Sequence, residues 1–249
     1  MDHRAEIVLL LGSGPNATEA RGYPRFCFDR VVAINNAWAV LEDWDDLVFP
    51  EDFPVDRRPK ALAPSQRLIE ADSFVPAQNA YGGVVFAGGT MAFTAGYWVL
   101  EMLRPKVIAF LGCDMIYPRS GPTHYYGKGS ADPLRDDVTL QDLGAKSARL
   151  AMLAAAQGCA CVNLSKAPTR LLFPRADPLA LSRLAPVEPD PETVERLRMQ
   201  EEDLGYHVPS GRYWEEAEHF DSDAIARIDS NWRRAWMGAL WFGQTRLSA

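Results

Sequence analysis

The chain has 249 residues, 47% of them hydrophobic and 24% charged, with 26 basic and 33 acidic side chains and a formal net charge of −7. That length suits one large domain or a core domain with a small appendage, and 18 glycines and 18 prolines are too few for a fibrous or disordered chain. The acidity sits in the tail, since residues 1–186 carry 20 acids and 19 bases while residues 187–249 carry 13 and 7; neither part is basic enough to bind nucleic acid through counterion release.

The apolar run Ile7 to Leu11, closed by Gly12-Ser13-Gly14, reads as a strand buried on both faces of a parallel sheet. It is too short for a secretory signal core, so a cytoplasmic protein is expected. Residues 31–34, 47–49, 107–111 and 160–164 read the same way, with 84–86 as a weaker sixth strand. Residues 73–100 carry no charge, but Pro76, Gln78, Asn79 and five glycines interrupt them. A buried strand, loop and helix fit that stretch better than a membrane span. Helical patterns cover 90–104 and 139–157, the second alternating an Ala/Leu/Met stripe with Asp142, Lys146 and Arg149 before a stop at Gly158. Prolines punctuate 178–191, which divides a domain over 1–177 from an acidic, tryptophan-containing extension over 178–249. The extension reads as helices over 194–204 and 222–241, the latter presenting Ile225, Ile228, Trp232, Trp236 and Leu240 to the sheet domain or to a second copy. Strands alternating with helices predict an α/β, Rossmann-like fold: an open, mostly parallel sheet flanked by helices, with a C-terminal helical extension. Cys27, Cys113, Cys159 and Cys161 match no metal knuckle and read as buried thiols.

Three segments carry candidate chemistry. Gly12, Ser13, Gly14, Pro15 and Asn16 follow the first strand, where glycines let backbone approach a phosphate and the next helix offers a positive end. The loop lacks the third glycine of a dinucleotide fingerprint and the lysine of a P-loop. Asn35 and Asn36 close the second strand and suit either a base or ribose, or simply a turn. Residues 112–117 and 123–129, after the strand at 107–111, are polar, aromatic and glycine-rich. Apart from His3, His124 is the only histidine of the sheet domain, hence the general-base candidate. Asp114 could orient an imidazole or bind a hydroxyl, Tyr117, Tyr125 and Tyr126 could donate to a phosphate leaving group, and Lys128 could neutralise it. Asp43, Asp45 and Asp46 contain the Asp-x-Asp spacing of a metal site but precede a strand, so a solvated loop is expected. His207 and His219 lack a metal-ligand pattern, and no metal is expected.

Taken in order, GSGPN, AINNAW, the entry Gly88-Gly89-Thr90-Met91, VIAFLGCDMIY, HYYGKG and VNLSKAPTRLLF resemble bacterial sialyltransferases of glycosyltransferase family 42, over residues 5 to about 175. The resemblance implies a Rossmann-like, metal-independent enzyme that binds a cytidine-monophosphate (CMP) sugar, with Ser13, Gly14, Asn35 and Asn36 at the nucleotide and Thr90 near it. The family's His-Tyr-Ile-Gly-His pattern becomes His124-Tyr125-Tyr126-Gly127-Lys128 here, so a lysine stands where the family has its base. Either His124 takes over, or the chemistry differs, or the chain binds without transferring. The expected function is therefore a metal-independent inverting glycosyltransferase-like activity on a CMP-type sugar and a glycan acceptor, in surface polysaccharide assembly, with no cofactor. A weaker resemblance to the pterin pyrophosphokinase-like family implies magnesium-dependent pyrophosphoryl transfer to a small hydroxylated acceptor, with Asp114 and Asp132 as carboxylates. A third reading is a nucleotide-binding or interaction module whose Trp214, Trp232, Trp236 and Trp241 dock a partner. Peripheral membrane contact and homo-oligomerisation through the C-terminal helices are compatible with all three.

Overall fold

The computed structural model describes residues 6–118, 120–129 and 135–247, with side chains to residue 242; His3 and Asp132 lie outside the described residues. Six parallel strands form one sheet in the order β4-β3-β2-β1-β5-β6: β1 Ile7–Leu11, β2 Arg30–Ile34, β3 Asp46–Val48, β4 Arg67–Ile69, β5 Val107–Leu111 and β6 Ala160–Asn163. The chain runs outward from β1 through β2, β3 and β4, then returns to the other side of β1 with β5. This reversal puts a topological switch beside β1, the place where open α/β sheets leave a crevice at their carboxyl ends. The α/β, Rossmann-like architecture is as expected.

Alternation along the strands separates two cores. Val8 and Leu10 of β1, Val32 and Ile34 of β2 and Ile108 and Phe110 of β5 point to the side covered by α1 Ala71–Asn79, α3 Met91–Trp98, α4 Leu143–Ala156, α5 Pro191–Leu204 and α6 Ser222–Leu247. Leu9, Leu11, Val31, Ala33 and Ala109 point the other way, onto short 3-10 turns at Ala17–Gly22, Arg25–Cys27, Asn35–Ala39 and Pro178–Arg183. Burying each such aliphatic side chain contributes about 1.5–3 kcal/mol, so a strand apolar on both faces is held only when both layers are in place.

Two expectations are corrected. Residues 84–86 are not a strand: Val84–Ala87 form a buried helical turn, α2, bounded by Gly83 at φ 88° and Gly88 at φ 94°. Glycines in that region end an extended run on either side. The sixth strand is β4, whose sequence Arg-Leu-Ile carries too little apolar signal to announce itself. Accordingly 73–100 holds α1, α2 and α3, the last continuing as a π turn over Val99–Leu103, and contains no strand. The second correction concerns α4, whose Lys146 and Arg149 are fully buried beneath α5 and α6.

All four cysteines are buried free thiols. Among the described residues, no helix is long and apolar enough to cross a membrane.

Candidate functional site

At the carboxyl ends of β1, β2 and β5 lies a cleft of about 350 Å3, within the usual range for small-molecule sites. Three sequence-predicted segments meet there, contributing Gly12, Ser13, Gly14 and Pro15, then Asn35 and Asn36, then Asp114, Tyr117, His124 and Tyr126. Thr90 joins them from the start of α3.

The glycines have a packing reason. A Cβ on Gly12 would stand 2.4 Å from the Gly112 carbonyl oxygen and 2.6 Å from Cys113 Sγ, and one on Gly112, at φ 71°, would stand 2.5 Å from the Gly12 oxygen. The loops after β1 and β5 therefore cross backbone to backbone, joined by Gly14 N–H donating to the Gly112 oxygen at 2.8 Å. Gly12→Ala should destabilise the protein by about 1–3 kcal/mol, the usual size of overpacking strain. Gly22→Ala, whose Cβ meets nothing within 4 Å, is the matched control. Equal thermal midpoints for the two variants would refute this account of the crossing.

The positive end expected after the glycine loop is not built as foreseen. The next element is a six-residue 3-10 turn, and the Ala17 and Glu19 N–H groups already donate to Gly14 and Asn16 oxygens. A better anion pole comes from α3. Thr90 caps it by accepting from Phe93 N–H at 3.3 Å, and Met91 and Ala92 line the cleft from its first turn, where N–H groups have no intrahelical partner. Arg57 adds a guanidinium to the lining, with no ion pair among the described residues. Sequence reasoning missed it because the loop at 50–58 carries no motif.

Asp114 is buried and held between two amides, with Asn16 Nδ2 donating to Oδ2 at 2.9 Å and Asn163 Nδ2 to Oδ1 at 3.0 Å. Ser165 Oγ accepts from the same Asn16 amide at 2.7 Å, and Thr169 Oγ1 from Asn163 at 3.2 Å. Asp114 thus latches β1, β5 and β6 together at the cleft floor rather than orienting the His124 imidazole. Asn163, Ser165 and Thr169 sit inside the quoted stretch VNLSKAPTRLLF, but no role was legible for them there.

Asn35 adopts φ 51°, and its Oδ1 is buried with no hydrogen-bond partner among the described residues. Such an acceptor facing a cleft is costly unless a ligand donor satisfies it. Asn36 Nδ2 donates to Tyr126 Oη at 3.1 Å, and Tyr126 stacks on His124 with centroids 5.0 Å apart. Thr123 Oγ1 lies 2.9 Å from His124 Nδ1 and accepts from Gly129 N–H at 3.1 Å. The same hydroxyl lies 3.4 Å from the Gly129 oxygen, so Thr123 fixes the orientation of the imidazole ring, and the ring nitrogen that carries the proton follows from whether the hydroxyl donates to Nδ1 or to that oxygen.

Three predicted site residues are not in the cleft lining: Asn16, whose amide instead holds Asp114, and Tyr125 and Lys128. Tyr125 spends its hydroxyl on the Asn36 carbonyl at 2.6 Å and packs on the second core, and burial raises its pKa. Lys128 is exposed and does not line the cleft. The Asp-x-Asp segment lies at the opposite, amino end of the strands. Arg25 spans Asp43 at 3.1 Å and Asp45 at 2.9 Å, while the fully buried Asp46 takes Arg30 at 2.5 Å and Arg67 at 2.8 Å. The segment before β3 is a loop, as expected, with Asp43 exposed to solvent, and its carboxylates are paired with arginines while Asp46 is buried at the head of the strand. Among the described residues no group of three or more His, Cys, Asp or Glu is arranged to hold a metal.

A scan of protein-family models and searches of curated proteins and of solved structures return no match to this chain.

Proposed function

We propose that the protein is a metal-independent, inverting glycosyltransferase-like enzyme acting on a nucleotide-activated sugar of the CMP type. The observation that carries the reading is convergence. Segments more than a hundred residues apart in sequence, each singled out for its chemistry, line one cleft at the sheet's switch point. The cytidine identity rests on the motif resemblance alone.

In this reading the donor's phosphate lies against the first turn of α3 and Arg57, and the unpartnered Asn35 Oδ1 accepts from the base or ribose. An acceptor hydroxyl oxygen attacks the anomeric carbon as the bond from that carbon to the phosphate oxygen breaks. His124 takes the hydroxyl proton, and the electron pair leaves on the nucleotide phosphate, where Tyr117 and Tyr126 can donate.

Calorimetry and thermal shift with CMP and CMP-sugars, with and without magnesium, test it. A ligand at one hundred times its Kd stabilises the native state by about 2.7 kcal/mol, which is readily seen. Cytidine nucleotides should raise the unfolding temperature equally in chelator and in magnesium. A response that requires magnesium would move the assignment to pyrophosphoryl transfer, and no response to any nucleotide would remove the transferase reading.

A further inference from the structure

A second cavity, of about 530 Å3, opens beside the first and shares with it the residues Pro50, Asp52, Thr90 and Met91. Its far wall comes from residues 210–214, beyond the stretch that carries the family resemblance. We propose that this cavity is the acceptor site, and that it takes an uncharged glycoside with an apolar aglycone. The assignment of the acceptor role rests on the donor reading of the neighbouring cleft.

Confluence is the first argument. Group transfer between two bound molecules needs their reacting atoms to meet without crossing protein, and the shared rim at Asp52 and Thr90 is where the two cavities join. Lining chemistry is the second. Phe74, Val75, Val84 and Met91 make an apolar floor, and Trp214, 63% exposed, stands at the side as a flat platform. Such a face suits an aryl or alkyl group and the C–H face of a sugar ring.

Charge is the third argument. Carboxylates of Glu51, Asp52 and Asp137 face guanidiniums of Arg135 and Arg212. Arg135 is committed to Asp137, at 2.8 Å, and to the Tyr213 hydroxyl, at 2.7 Å, while Arg212 lies 3.7 Å from Glu51. Burial alone would raise the Asp137 carboxyl, but hydrogen bonds from Tyr213, Thr139 and Arg135 hold it below the ordinary carboxylate range. Among the described residues that line the cavity, each guanidinium thus faces a carboxylate, which disfavours an anionic acceptor. Asp52 has no ion pair among the described residues and sits at the seam, placed to accept hydrogen bonds from sugar hydroxyls.

The wall is also held rigidly enough to serve. Tyr213 is 7% exposed and donates its hydroxyl to Asp137, and its ring meets Trp214 edge-on at 5.5 Å. The platform is thereby tied to the segment that leads into α4.

The test uses the whole chain and a panel of para-nitrophenyl glycosides of galactose, glucose, mannose and N-acetylglucosamine, titrated by calorimetry with and without saturating CMP, with the free sugars as controls. At least one glycoside should bind, more tightly than its free sugar and without competing with CMP. Trp214→Ala should weaken that binding by about tenfold while leaving CMP affinity within about twofold, since an aromatic contact of this kind is worth up to a factor of ten. Asp52→Asn should weaken the glycoside to a similar degree and raise the acceptor KM more than it lowers kcat. Failure of every glycoside to bind, competition with CMP, or indifference to Trp214→Ala would overturn the acceptor site. Glycoside binding that responds to Trp214→Ala in a protein that ignores CMP would instead keep the cavity as a glycoside site and remove the donor reading beside it.

Discussion

Glu201→Ala should destabilise the protein by about 3–5 kcal/mol, the cost of leaving a buried charge without its partner. The partner is Arg149 of α4, fully buried, whose Nε and Nη2 each donate to Glu201 at 2.6 Å and whose Nη1 donates to the Tyr97 hydroxyl at 2.7 Å. Trp232 of α6 also donates to Glu201, at 2.7 Å, so one carboxylate from α5 joins three helices. Nearby, Lys146 gives its ammonium to Asp229 of α6 at 2.8 Å and to the Val85 carbonyl at 3.1 Å. In a chain of this length such a loss lowers the unfolding temperature by about 10 °C. Deleting residues 187–249 removes both carboxylates together with Trp232 and Trp236, and should leave no cooperatively folded sheet. The double variant Arg149→Met with Glu201→Leu should recover most of the loss, because two apolar side chains remove the charge and its partner together. If Glu201→Ala unfolds within a degree or two of the parent, or the deletion unfolds cooperatively, the C-terminal helices are an accessory layer and not part of this core.

The same contacts explain what was and was not legible in the sequence. Strands β1, β2 and β5 are apolar on both faces, so pattern alone located them, and with them the loops at their carboxyl ends. Polar β4 was hidden because a short edge strand buries little. Periodicity made Lys146 and Arg149 look like a solvent-facing stripe of α4, since a helix wheel contains no information about an acidic helix that arrives fifty residues later to cover it. Trp232 and Trp236, which the interaction-module reading assigned to a partner, are buried in the main core for the same reason. Asp114 and His124 were recognisable as polar groups after a strand, yet their division of labour was not. It depends on Asn16 and Asn163, which flank Asp114 in space while lying far from it in sequence. Arg57 and Asp52 had no pattern around them and became visible only when their loop was seen against the cleft.

His124→Ala should lower sugar transfer by a hundredfold or more, about the lower bound for loss of a general base, with CMP affinity within about threefold of the parent, a difference under 1 kcal/mol. The prediction needs a second variant, because His124 also supports the site through its stack on Tyr126, which in turn accepts from Asn36. His124→Phe keeps a ring on Tyr126 and removes both nitrogens. Under the base assignment it should be as slow as His124→Ala, whereas a purely structural role predicts that it stays close to the parent. Added imidazole should restore part of the rate in His124→Ala and none in His124→Phe, where no space is left for it. The rate of the parent should fall as pH drops, because a protonated imidazole cannot accept the hydroxyl proton. That acid limb should disappear in both variants. Persistence of the limb, or a phenylalanine variant that transfers normally, would take the proton transfer away from His124 and leave it as a packing residue of the cleft.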